Sequence, residues 1–580
     1  MSNADVVRQF DEIADLLEIQ GNDPFRCASY RRAARAIEEL TEELSNLADR
    51  KALMTIPGVG KGTAERVVEY LQTGKIAFHE ELCKTMPAGV LDLLRIPGLG
   101  PKKIQILYSQ LSIGSIEQLK VAIAQGQVET LRGFGKKTTD KLLEGIAFLE
   151  RSAGQTPLHM AEPVAETLRE HVARLPGVKQ VEIAGSIRRG KEMIGDIDLL
   201  CVAEDAAATT TAFTKLPMVR AILGAGDTKA SVRVDNPIGD AGEIQADLRV
   251  VPAESFGAAW QYFTGSKEHN VRLRERAVKR GWKLNEYGLF EGDTFLSGAT
   301  EEEIYDRFDL PMIPPELRED NGELDLKKLP KLIEQQHLRG DLHMHTTASD
   351  GICSIEQMAL AAHGLGYEYI AITDHSQSSV IANGLSIDRL EHLIEDVKLV
   401  NRRLKEFGVT ILAGTECDIL SDGSLDYPNE LLARLDWVIA SIHAAQTQNS
   451  DHVTGRTLDA IRNPYVNCIG HPSGRLLGKR DAMDMRWEDV FKAASETGTA
   501  LEISSAWLRL DLKDSHVRRA GELGCKFAIN TDAHSVEQLI SQIFFGIQTA
   551  RRGWATTDRI INAQSLADLR AFVAAKRNKR

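Results

Sequence analysis

The sequence lacks the features of a secreted, membrane-spanning or disulfide-stabilised protein. Its seven cysteines are scattered and include no Cys-x-x-Cys pair, which argues against a disulfide framework and against thiolate zinc sites. No apolar run reaches the length of a membrane span, and the acidic N-terminus has no signal-peptide pattern. We therefore expect a cytoplasmic protein that has no membrane partner.

A basic domain is also missing. The net charge is −13, and neither half of the chain is basic when it is divided at Pro330. Any contact with nucleic acid must then come from local patches and backbone amides. At 580 residues the chain is too long for one ordinary core, and a hydrophobic content of 43% predicts several globular domains.

The stretch from Ala184 to Asp198 combines a Gly-Ser turn, two arginines and an Asp-x-Asp pair. Residues i and i+2 of a strand point to the same face, so Asp196 and Asp198 aim two carboxylates at one point. Like charges held so close repel each other unless a cation lies between them. A phosphate site with a divalent metal is one interpretation. A turn with a solvated acidic edge is the other, and it is the commoner one for a lone Asp-x-Asp pair.

Asp247 is a candidate third carboxylate. It interrupts the apolar, β-prone run from Gly242 to Val251. A charged side chain in such a run is costly unless it is paired or binds a metal. This residue therefore favours the metal interpretation of the first two aspartates.

Three short glycine repeats precede helical segments near the N-terminus. They are Ile56–Gly60, Ile96–Gly100 and the weaker Leu131–Gly135, and each is followed by lysine. Gly-x-Gly at a helix start allows close approach of a ligand to the backbone, and the exposed amides attract anions. One copy is more often a tight turn, but three resemble helix-hairpin-helix elements, which hold the DNA backbone without reading sequence. The candidate DNA-binding residues are Gly58, Gly60, Lys61, Gly98, Gly100, Lys102, Gly133, Gly135 and Lys136.

Taken in order, Gly185-Ser186 with Arg189, Asp196-Ile-Asp198, Asp247 and Tyr262-Phe-Thr-Gly265 resemble the palm of family X DNA polymerases, the polymerase beta group. The resemblance covers roughly residues 1–318. It implies that Asp196, Asp198 and Asp247 hold two Mg²⁺ or Mn²⁺ ions, and that a primer 3′-hydroxyl attacks the α-phosphate of a dNTP. The nucleotide-binding residues implied by the resemblance are Gly185, Ser186, Arg189, Gly195, Tyr262, Phe263, Gly265, Asn270 and Arg274.

Two positions depart from the family pattern. Arg66 replaces the lysine nucleophile that removes a 5′ sugar phosphate in the mammalian-type family, and a protonated arginine cannot form a Schiff base. We therefore expect no such lyase. Gln245 replaces the basic partner two residues before the third aspartate, so we expect Asp247 to be less constrained and its pKa less depressed.

The second half of the chain carries 11 of the 15 histidines. Seven apolar, β-prone runs recur there, most ending in a metal-capable side chain, and helical segments separate several of them. Strand ends of this kind build the active sites of barrels, so we expect a distorted (β/α)7 barrel. A single buried histidine is more often a core residue, but nine ligand-type residues imply two or three metal ions. The nine are His343, His345, Asp350, His375, Glu416, His443, His471, Asp532 and His534.

The segments Asp-Leu-His-Met-His, Thr-Asp-His-Ser, Gly-Thr-Glu-Cys-Asp, Ser-Ile-His, Gly-His-Pro and Thr-Asp-Ala-His resemble the polymerase and histidinol phosphatase (PHP) domain, with its full ligand set. The resemblance implies metal-assisted phosphoester hydrolysis, and mixed histidine and carboxylate donors suit Mn²⁺ or Zn²⁺. Arg475 and Lys479/Arg480, after Gly470-His-Pro, either bind the phosphate or lie in a solvated loop. Asp374 is a candidate supporting residue behind the ligands.

Together the two halves resemble bacterial family X polymerases that carry a PHP domain. This implies a multidomain protein with an α-helical helix-hairpin-helix region (1–90 and 91–152), an α/β palm (153–258), a thumb (259–318), a linker (319–337) and a PHP barrel (338–580). The implied activities are gap filling in base excision repair with 3′→5′ exonuclease, and AP endonuclease is a further option. The implied partners are gapped or primer-template DNA and dNTPs. We expect a monomer, and a monovalent cation at the glycine repeats stays open.

Two alternatives remain. One is a small-molecule nucleotidyltransferase fused to a sugar-phosphate phosphatase, against which the three glycine repeats count. The other is a non-catalytic scaffold for DNA ends, whose signature would be lost aspartates or lost metal ligands. None of these residues is lost.

Overall fold

The computed structural model describes residues 3–38, 44–47, 50–56, 58–87, 89–96, 98–152, 154–236 and 242–578. Pro57 and Pro97 of the glycine repeats, and Ala153 at the predicted start of the palm, lie outside these ranges. The chain forms two compact units, Met1–Ala153 with Gly478–Arg480, and Gly154–Leu477 with Asp481–Arg580. Within the described ranges, no helix is both long and apolar enough to cross a membrane.

The first unit is α-helical. Its core is built from the apolar faces of these helices, with buried side chains such as Phe10, Ile13, Leu16 and Tyr30. The described helices are α1 Asn3–Ile19, α2 Pro24–Glu38, α3 Arg50–Leu53, α4 Lys61–Thr73, α5 Ala77–Thr85, α6 Val90–Leu94, α7 Pro101–Leu111, α8 Ile116–Ala124 and α9 Lys136–Ser152.

Each glycine repeat lies directly before one of these helices. The repeats lead into α4, α7 and α9. The residues between their two glycines, Val59, Leu99 and Phe134, are buried in the core. The first glycines have left-handed φ values of 91°, 81° and 91°, which a side chain would make costly. The repeats therefore fix sharp helix entries by burying one residue and exposing the glycines around it.

The second unit contains a five-stranded sheet in the order Val178–Ile183 (β2), Asp196–Ala203 (β4), Glu243–Val250 (β7), Lys229–Asp235 (β6) and Val219–Ala225 (β5). Strands β4 and β7 are adjacent and parallel, and the helix Leu158–Ala173 (α10) packs on the sheet. The elements are β1 Thr156–Pro157, α10 Leu158–Ala173, β2 Val178–Ile183, α11 Gly185–Arg188, β3 Met193–Ile194, β4 Asp196–Ala203, α12 Ala206–Phe213, β5 Val219–Ala225, β6 Lys229–Asp235 and β7 Glu243–Val250.

A small helical and antiparallel region follows. It comprises α13 Phe256–Thr264, α14 Lys267–Lys279, β8 Trp282–Asn285, β9 Gly288–Glu291, β10 Thr294–Ser297 and α15 Glu301–Arg307. The segment 319–337, predicted as a linker, is anchored by four buried residues, while about half of its residues are exposed. Glu323 and Ile333 are fully buried, and Leu324 and Leu332 join the core of this region.

The C-terminal part is a nearly closed barrel of seven parallel strands in chain order. The first and last strands approach each other, since His345 N donates to the Ala533 carbonyl at 2.8 Å. The elements are β11 Gly340–Asp341, α16 Ile355–Gly364, β12 Tyr369–Ile372, α17 Ile387–Arg403, β13 Thr410–Asp418, α18 Asn429–Leu432, β14 Trp437–Ser441, α19 Ser450–Arg462, β15 Cys468–Ile469, α20 Trp487–Thr497, β16 Ala500–Ser504, α21 Asp514–Glu522, β17 Phe527–Asn530, α22 Val536–Ser541, α23 Ile543–Arg552 and α24 Leu566–Asn578.

Candidate active sites

The three aspartates of the first site lie on two neighbouring strands. Asp196 and Asp198 are on the same face of β4, and Asp198 is directly opposite Asp247 on β7. Burial, and then the charges of Asp196 and Asp247, raise the pKa of Asp198 to about 7. Burial and the charge of Asp247 also raise the pKa of Asp196, so this pair of carboxylates favours a cation between them.

Asp247 has a basic partner that the sequence did not reveal. Burial by itself would raise the pKa of Asp247, but hydrogen bonds from Lys229, Gln245 and Ser231 outweigh it and hold the pKa below its usual value. Lys229 Nζ lies 2.7 Å from Asp247 Oδ2. The expectation that Gln245 leaves this aspartate less constrained was therefore wrong, because a lysine on the adjacent strand β6 supplies the charge.

Gly185 shapes the turn beside the triad. Its φ is +63°, and a Cβ at this position would lie 2.2 Å from Asp198 Oδ2. The turn is also tied to the strand by Ala184 N, which donates to the Asp198 carbonyl at 2.8 Å. A glycine is thus required both by the backbone conformation and by the carboxylate that occupies the side-chain position.

We predict that Gly185→Ala disables the first site while leaving the barrel site intact. The new methyl must push the Asp198 carboxylate away, and the positive φ adds strain of about 1–2 kcal/mol. Primer extension should fall at least roughly 100-fold, since displacement of a reacting group by about 1 Å costs this much. Extension assays on gapped DNA measure the effect. Gly224→Ala, on strand β5 of the same sheet, is the matched control, because nothing lies within 4 Å of its added Cβ.

The nucleotide-side residues already have protein partners. Arg189 Nε donates to Glu319 at 3.0 Å and Nη1 donates to the Thr264 carbonyl, so a triphosphate would have to displace Glu319. Asn270 Nδ2 donates to the Tyr262 carbonyl at 2.7 Å. Tyr262 and Phe263 are half-buried, with ring centroids 5.1 Å apart. Ser186 is half-buried, and Gly195 and Arg274 are exposed.

The second site gathers all nine predicted ligand residues at the carboxyl ends of the barrel strands. Within the described ranges, three groups have ligand atoms no more than 4.8 Å apart, and all are in the barrel. One group contains both His345 and His375, and each of the other two groups contains one of them. The groups are His345, Asp350, His375 and His534; His343, His345 and Asp532; and His375, Glu416 and His443.

Glu416 joins these groups at the centre of the site. His375 Nδ1 and His471 Nε2 each lie 2.8 Å from a Glu416 oxygen, and His443 Nε2 lies at 3.3 Å. The neighbouring histidines outweigh the effect of burial and hold the pKa of Glu416 well below its usual value. This carboxylate is therefore an anion within a shell of imidazoles.

The donor atoms of this site fit metal ions. His343 Nε2, His345 Nδ1 and Glu416 Oε2 are buried and have no hydrogen-bond partner among the described residues. A buried polar atom without a partner is costly, and several of them pointing into one cluster are what a metal site requires. Two ligand positions, His471 and Asp532, also have left-handed φ values of 26° and 55°, a strain that tends to occur at functional sites.

A further layer of residues orients the ligands, and sequence reasoning found only part of it. Glu502 Oε1 lies 2.8 Å from His343 Nδ1, and Asp418 pairs with His443 Nδ1. Asp374 accepts four hydrogen bonds from Thr346 and Ser349, which brace the loop that carries Asp350. Glu502 is a charge in the middle of the apolar strand β16, and Asp418 ends the Gly-Thr-Glu-Cys-Asp segment, so the sequence held a signal for both.

Arg475 does not face the metal site. It forms a two-pronged pair with Glu192, at 3.1 and 2.7 Å, and its Nε donates to the Arg509 carbonyl at 2.9 Å. Neither a phosphate-binding role nor a solvated loop fits these partners. Arg475 instead joins the barrel to the turn just before β3, and Leu477, Leu510 and Phe545 of the barrel are buried in the same core as the palm sheet.

We predict that Arg475→Met destabilises the second unit. The variant leaves backbone carbonyls without their donor, while Glu192 is partly exposed and can be hydrated, so the loss should be about 2 kcal/mol rather than the larger value of a fully buried pair. A lower Tm of the second unit, followed by circular dichroism, measures it. Glu192→Gln should show a smaller loss, and equal stability of Arg475→Met and the natural chain would contradict the assignment.

The glycine repeats present an open face. A Cβ added at Gly60, Gly98, Gly100, Gly133 or Gly135 would meet nothing within 4 Å, so packing does not explain these glycines. At Gly58 the Cβ would lie 3.2 Å from the Arg32 carbonyl. The lysines Lys61, Lys102 and Lys136 that follow are exposed. Such surfaces let an anion reach the backbone amides at the starts of α4, α7 and α9.

Known proteins match either the whole chain or about half of it. The DNA polymerase/3'-5' exonuclease PolX of Bacillus subtilis (strain 168) is 38% identical over the full length of both chains. A probable phosphatase of Thermoanaerobacter sp. (strain X514) is 30% identical over 41% of this chain and 96% of its own. DNA polymerase lambda of Rattus norvegicus is 26% identical over 50% of this chain and 49% of its own.

Family models match each region in turn. They are a helix-hairpin-helix domain (1–76), a SAM-like helix-hairpin-helix tandem (90–147), the DNA polymerase beta palm (155–231), the DNA polymerase beta thumb (259–319) and the PHP domain (341–506). Since the B. subtilis relative matches from end to end, the chain belongs to the bacterial family X DNA polymerases (PolX) with a C-terminal PHP domain.

Proposed function

We propose that this protein fills short gaps in DNA during base excision repair with its palm, and removes 3′ nucleotides with its barrel. The observation that carries the proposal is the presence of two separate sets of ligand residues in one chain, three aspartates on β4 and β7 and nine residues around Glu416. The proposed domains are those given in the sequence analysis, with the partly buried segment 319–337 as the linker. Seven free cysteines support a cytoplasmic location.

In the palm, Asp196 and Asp198 would hold two Mg²⁺ or Mn²⁺ ions, and Asp247 would hold one of them. When bound, such cations activate the primer 3′-hydroxyl and stabilise the charge on the α-phosphate. Lys229 keeps Asp247 ionised, so this carboxylate is ready to accept a cation. The amides of the Gly185-Ser186 turn lie next to Asp198 and would bind the triphosphate.

The remaining nucleotide contacts would come from α13 and α14. Tyr262, Phe263 and Gly265 would line the sugar and base of the dNTP. Asn270 holds the Tyr262 carbonyl in place, which positions this wall, and exposed Arg274 would reach the template. Arg189 would contribute once the triphosphate replaces Glu319. Gly195 would allow the backbone to approach next to Asp196.

In the barrel, the nine ligand residues would hold two or three Mn²⁺ or Zn²⁺ ions. When bound, such ions supply an activated water and a Lewis acid for phosphodiester hydrolysis. Glu502 and Asp418 orient His343 and His443, and Glu416 provides the central negative charge. The similarity of this part to a probable phosphatase favours phosphomonoester hydrolysis as a second activity. AP endonuclease activity is also included in the proposal as a use of the same site.

DNA would be held by the glycine repeats without regard to its sequence, and a monovalent cation at these repeats is included in the proposal. Arg66 would not support a lyase, since its guanidinium carbon lies 4.5 Å from the Phe78 ring centroid and its Nη1 donates to the Gly62 carbonyl. The protein would act as a monomer on gapped or primer-template DNA with dNTPs.

A 5′-labelled primer annealed to gapped DNA tests the proposal. With dNTPs and Mg²⁺ or Mn²⁺ the primer should lengthen, and without dNTPs it should shorten from the 3′ end in Mn²⁺. Absence of lengthening would refute the polymerase assignment, and absence of shortening would refute the exonuclease assignment. A parallel reaction with a small phosphomonoester distinguishes a phosphatase from a nuclease.

A further inference from the structure

Arg509 is a cation at the edge of the barrel site that has no role so far. It lies in the loop between β16 and α21, and its Nε is 3.6 Å from Oδ2 of the ligand residue Asp532. The other oxygen of that carboxylate, Oδ1, faces His343 and His345 at 3.4 and 3.1 Å. Arg509 therefore borders the ligand cluster from the side of Asp532.

The guanidinium of Arg509 is not satisfied by its protein neighbours. Its Nη1 is buried and has no hydrogen-bond partner among the described residues. The contact with Asp532 is longer than a hydrogen bond, so it is an electrostatic contact only. A buried N–H of a charged group without an acceptor is expensive, and this cost indicates an acceptor that binds from outside the chain.

Two other arginines at this end of the barrel show the contrast. Arg475 donates hydrogen bonds to Glu192 and to the carbonyls of Arg509 and Leu510. Arg389 donates hydrogen bonds to the carbonyls of Asn383, Gly384 and Ala348. Arg509 differs from both, since its side chain remains 20% exposed and retains an N–H group to donate.

The loop that carries Arg509 is held firmly. The Arg509 carbonyl accepts from Arg475 Nε at 2.9 Å, and its amide donates to the Ala506 carbonyl at 2.7 Å. The next residue, Leu510, is 2% exposed and packs in the core of the palm. The backbone of Arg509 is thus fixed by the contact between barrel and palm, while its side chain points to the metal ligands.

We infer that Arg509 binds the non-bridging oxygens of the phosphate group that the barrel site cleaves. The planar guanidinium presents N–H donors in a fork that matches phosphate oxygens, which a point charge such as lysine does not. The ligand class is a phosphodiester or a phosphate monoanion or dianion, which share these oxygens. Asp532 holds the fork next to the ligand cluster, and the bound phosphate supplies the missing acceptor.

This inference rests on the proposed hydrolytic function of the barrel, and its test separates the two. The full chain is loaded with Mn²⁺, its metal content is measured by elemental analysis, and binding of ³²P-labelled inorganic phosphate is measured by equilibrium dialysis. Shortening of a labelled 3′ end is measured on the same preparations. The variants are Arg509→Met, Arg509→Lys and, as a matched control at the same edge, Arg389→Met.

Arg509→Met should keep its manganese and lose phosphate affinity by about 10- to 100-fold, the range for hydrogen bonds to a charged group. The KM for DNA should rise with it, Arg509→Lys should recover part of the affinity, and Arg389→Met should bind phosphate normally. The inference would be overturned if Arg509→Met kept its phosphate affinity. It would also be overturned if the variant lost manganese while the sites that still held manganese bound phosphate with normal affinity. If the natural chain neither shortens DNA nor binds phosphate, the hydrolytic function itself fails.

Discussion

Asp198→Asn is expected to abolish primer extension on gapped DNA while 3′ shortening continues at its normal rate. The amide removes the carboxylate that faces both Asp196 and Asp247 and takes a full negative charge from the cation site. Extension should fall at least roughly 10³-fold, or about 4 kcal/mol of transition-state stabilisation. Single-turnover extension with a labelled primer measures this, and shortening without dNTPs is the internal control.

The same variant should be more stable than the natural chain when divalent metals are removed. The pKa of Asp198 is raised from 3.8 to about 7, so its ionisation in the folded protein costs stability as pH rises through this range. Asparagine has no such cost. The Tm of Asp198→Asn in a chelator should therefore exceed that of the natural chain by an amount that grows from pH 4 to 7 and is complete above pH 7. Loss of extension together with a lower Tm at pH 8 would instead indicate misfolding.

Glu416→Gln is expected to have the opposite effect: it should abolish 3′ shortening and leave primer extension unchanged. Glu416 lies within 3.7 Å of nitrogen atoms from five histidines and carries the negative charge at the centre of the cluster. Without that charge, the ligands should bind less metal, and shortening should fall at least roughly 10³-fold. Labelled-primer assays and elemental analysis of the purified protein measure the two effects.

A second barrel variant guards against a local folding defect. His343→Ala removes an imidazole ligand rather than the central carboxylate, so the two variants disturb the barrel differently. Both should keep extension on gapped DNA and lose manganese. Shortening that survives in both would place the exonuclease outside the PHP domain.

The chemistry of both sites was predictable from the sequence because it follows from strand periodicity. Asp196 and Asp198 share a face of β4 because side chains alternate along a strand. Asp247 could be recognised in the sequence as a charged residue within an apolar run. The barrel ligands recur at strand ends, which parallel strands bring to one edge. These are local patterns, and they specify a site without knowledge of the contacts between distant segments.

The partners of these residues could not be predicted, because they come from segments far apart in the chain. Lys229 reaches Asp247 only through the pairing of β6 with β7, and no motif connects the two. Arg475 pairs with Glu192, which lies 283 positions away in the sequence. Only the folded protein therefore shows that Arg475 has this partner and does not bind phosphate. The segment 319–337 has the composition of a linker, but tertiary packing buries Glu323 next to His269.

The existence of two independent metal centres is the central claim, and anomalous X-ray diffraction from crystals of the full chain with Mn²⁺, gapped DNA and a non-hydrolysable dNTP tests it most directly. We expect manganese peaks between Asp196, Asp198 and Asp247, and two or three further peaks among the nine barrel ligands. A map with manganese in the palm and none around Glu416, or the reverse, would contradict the claim.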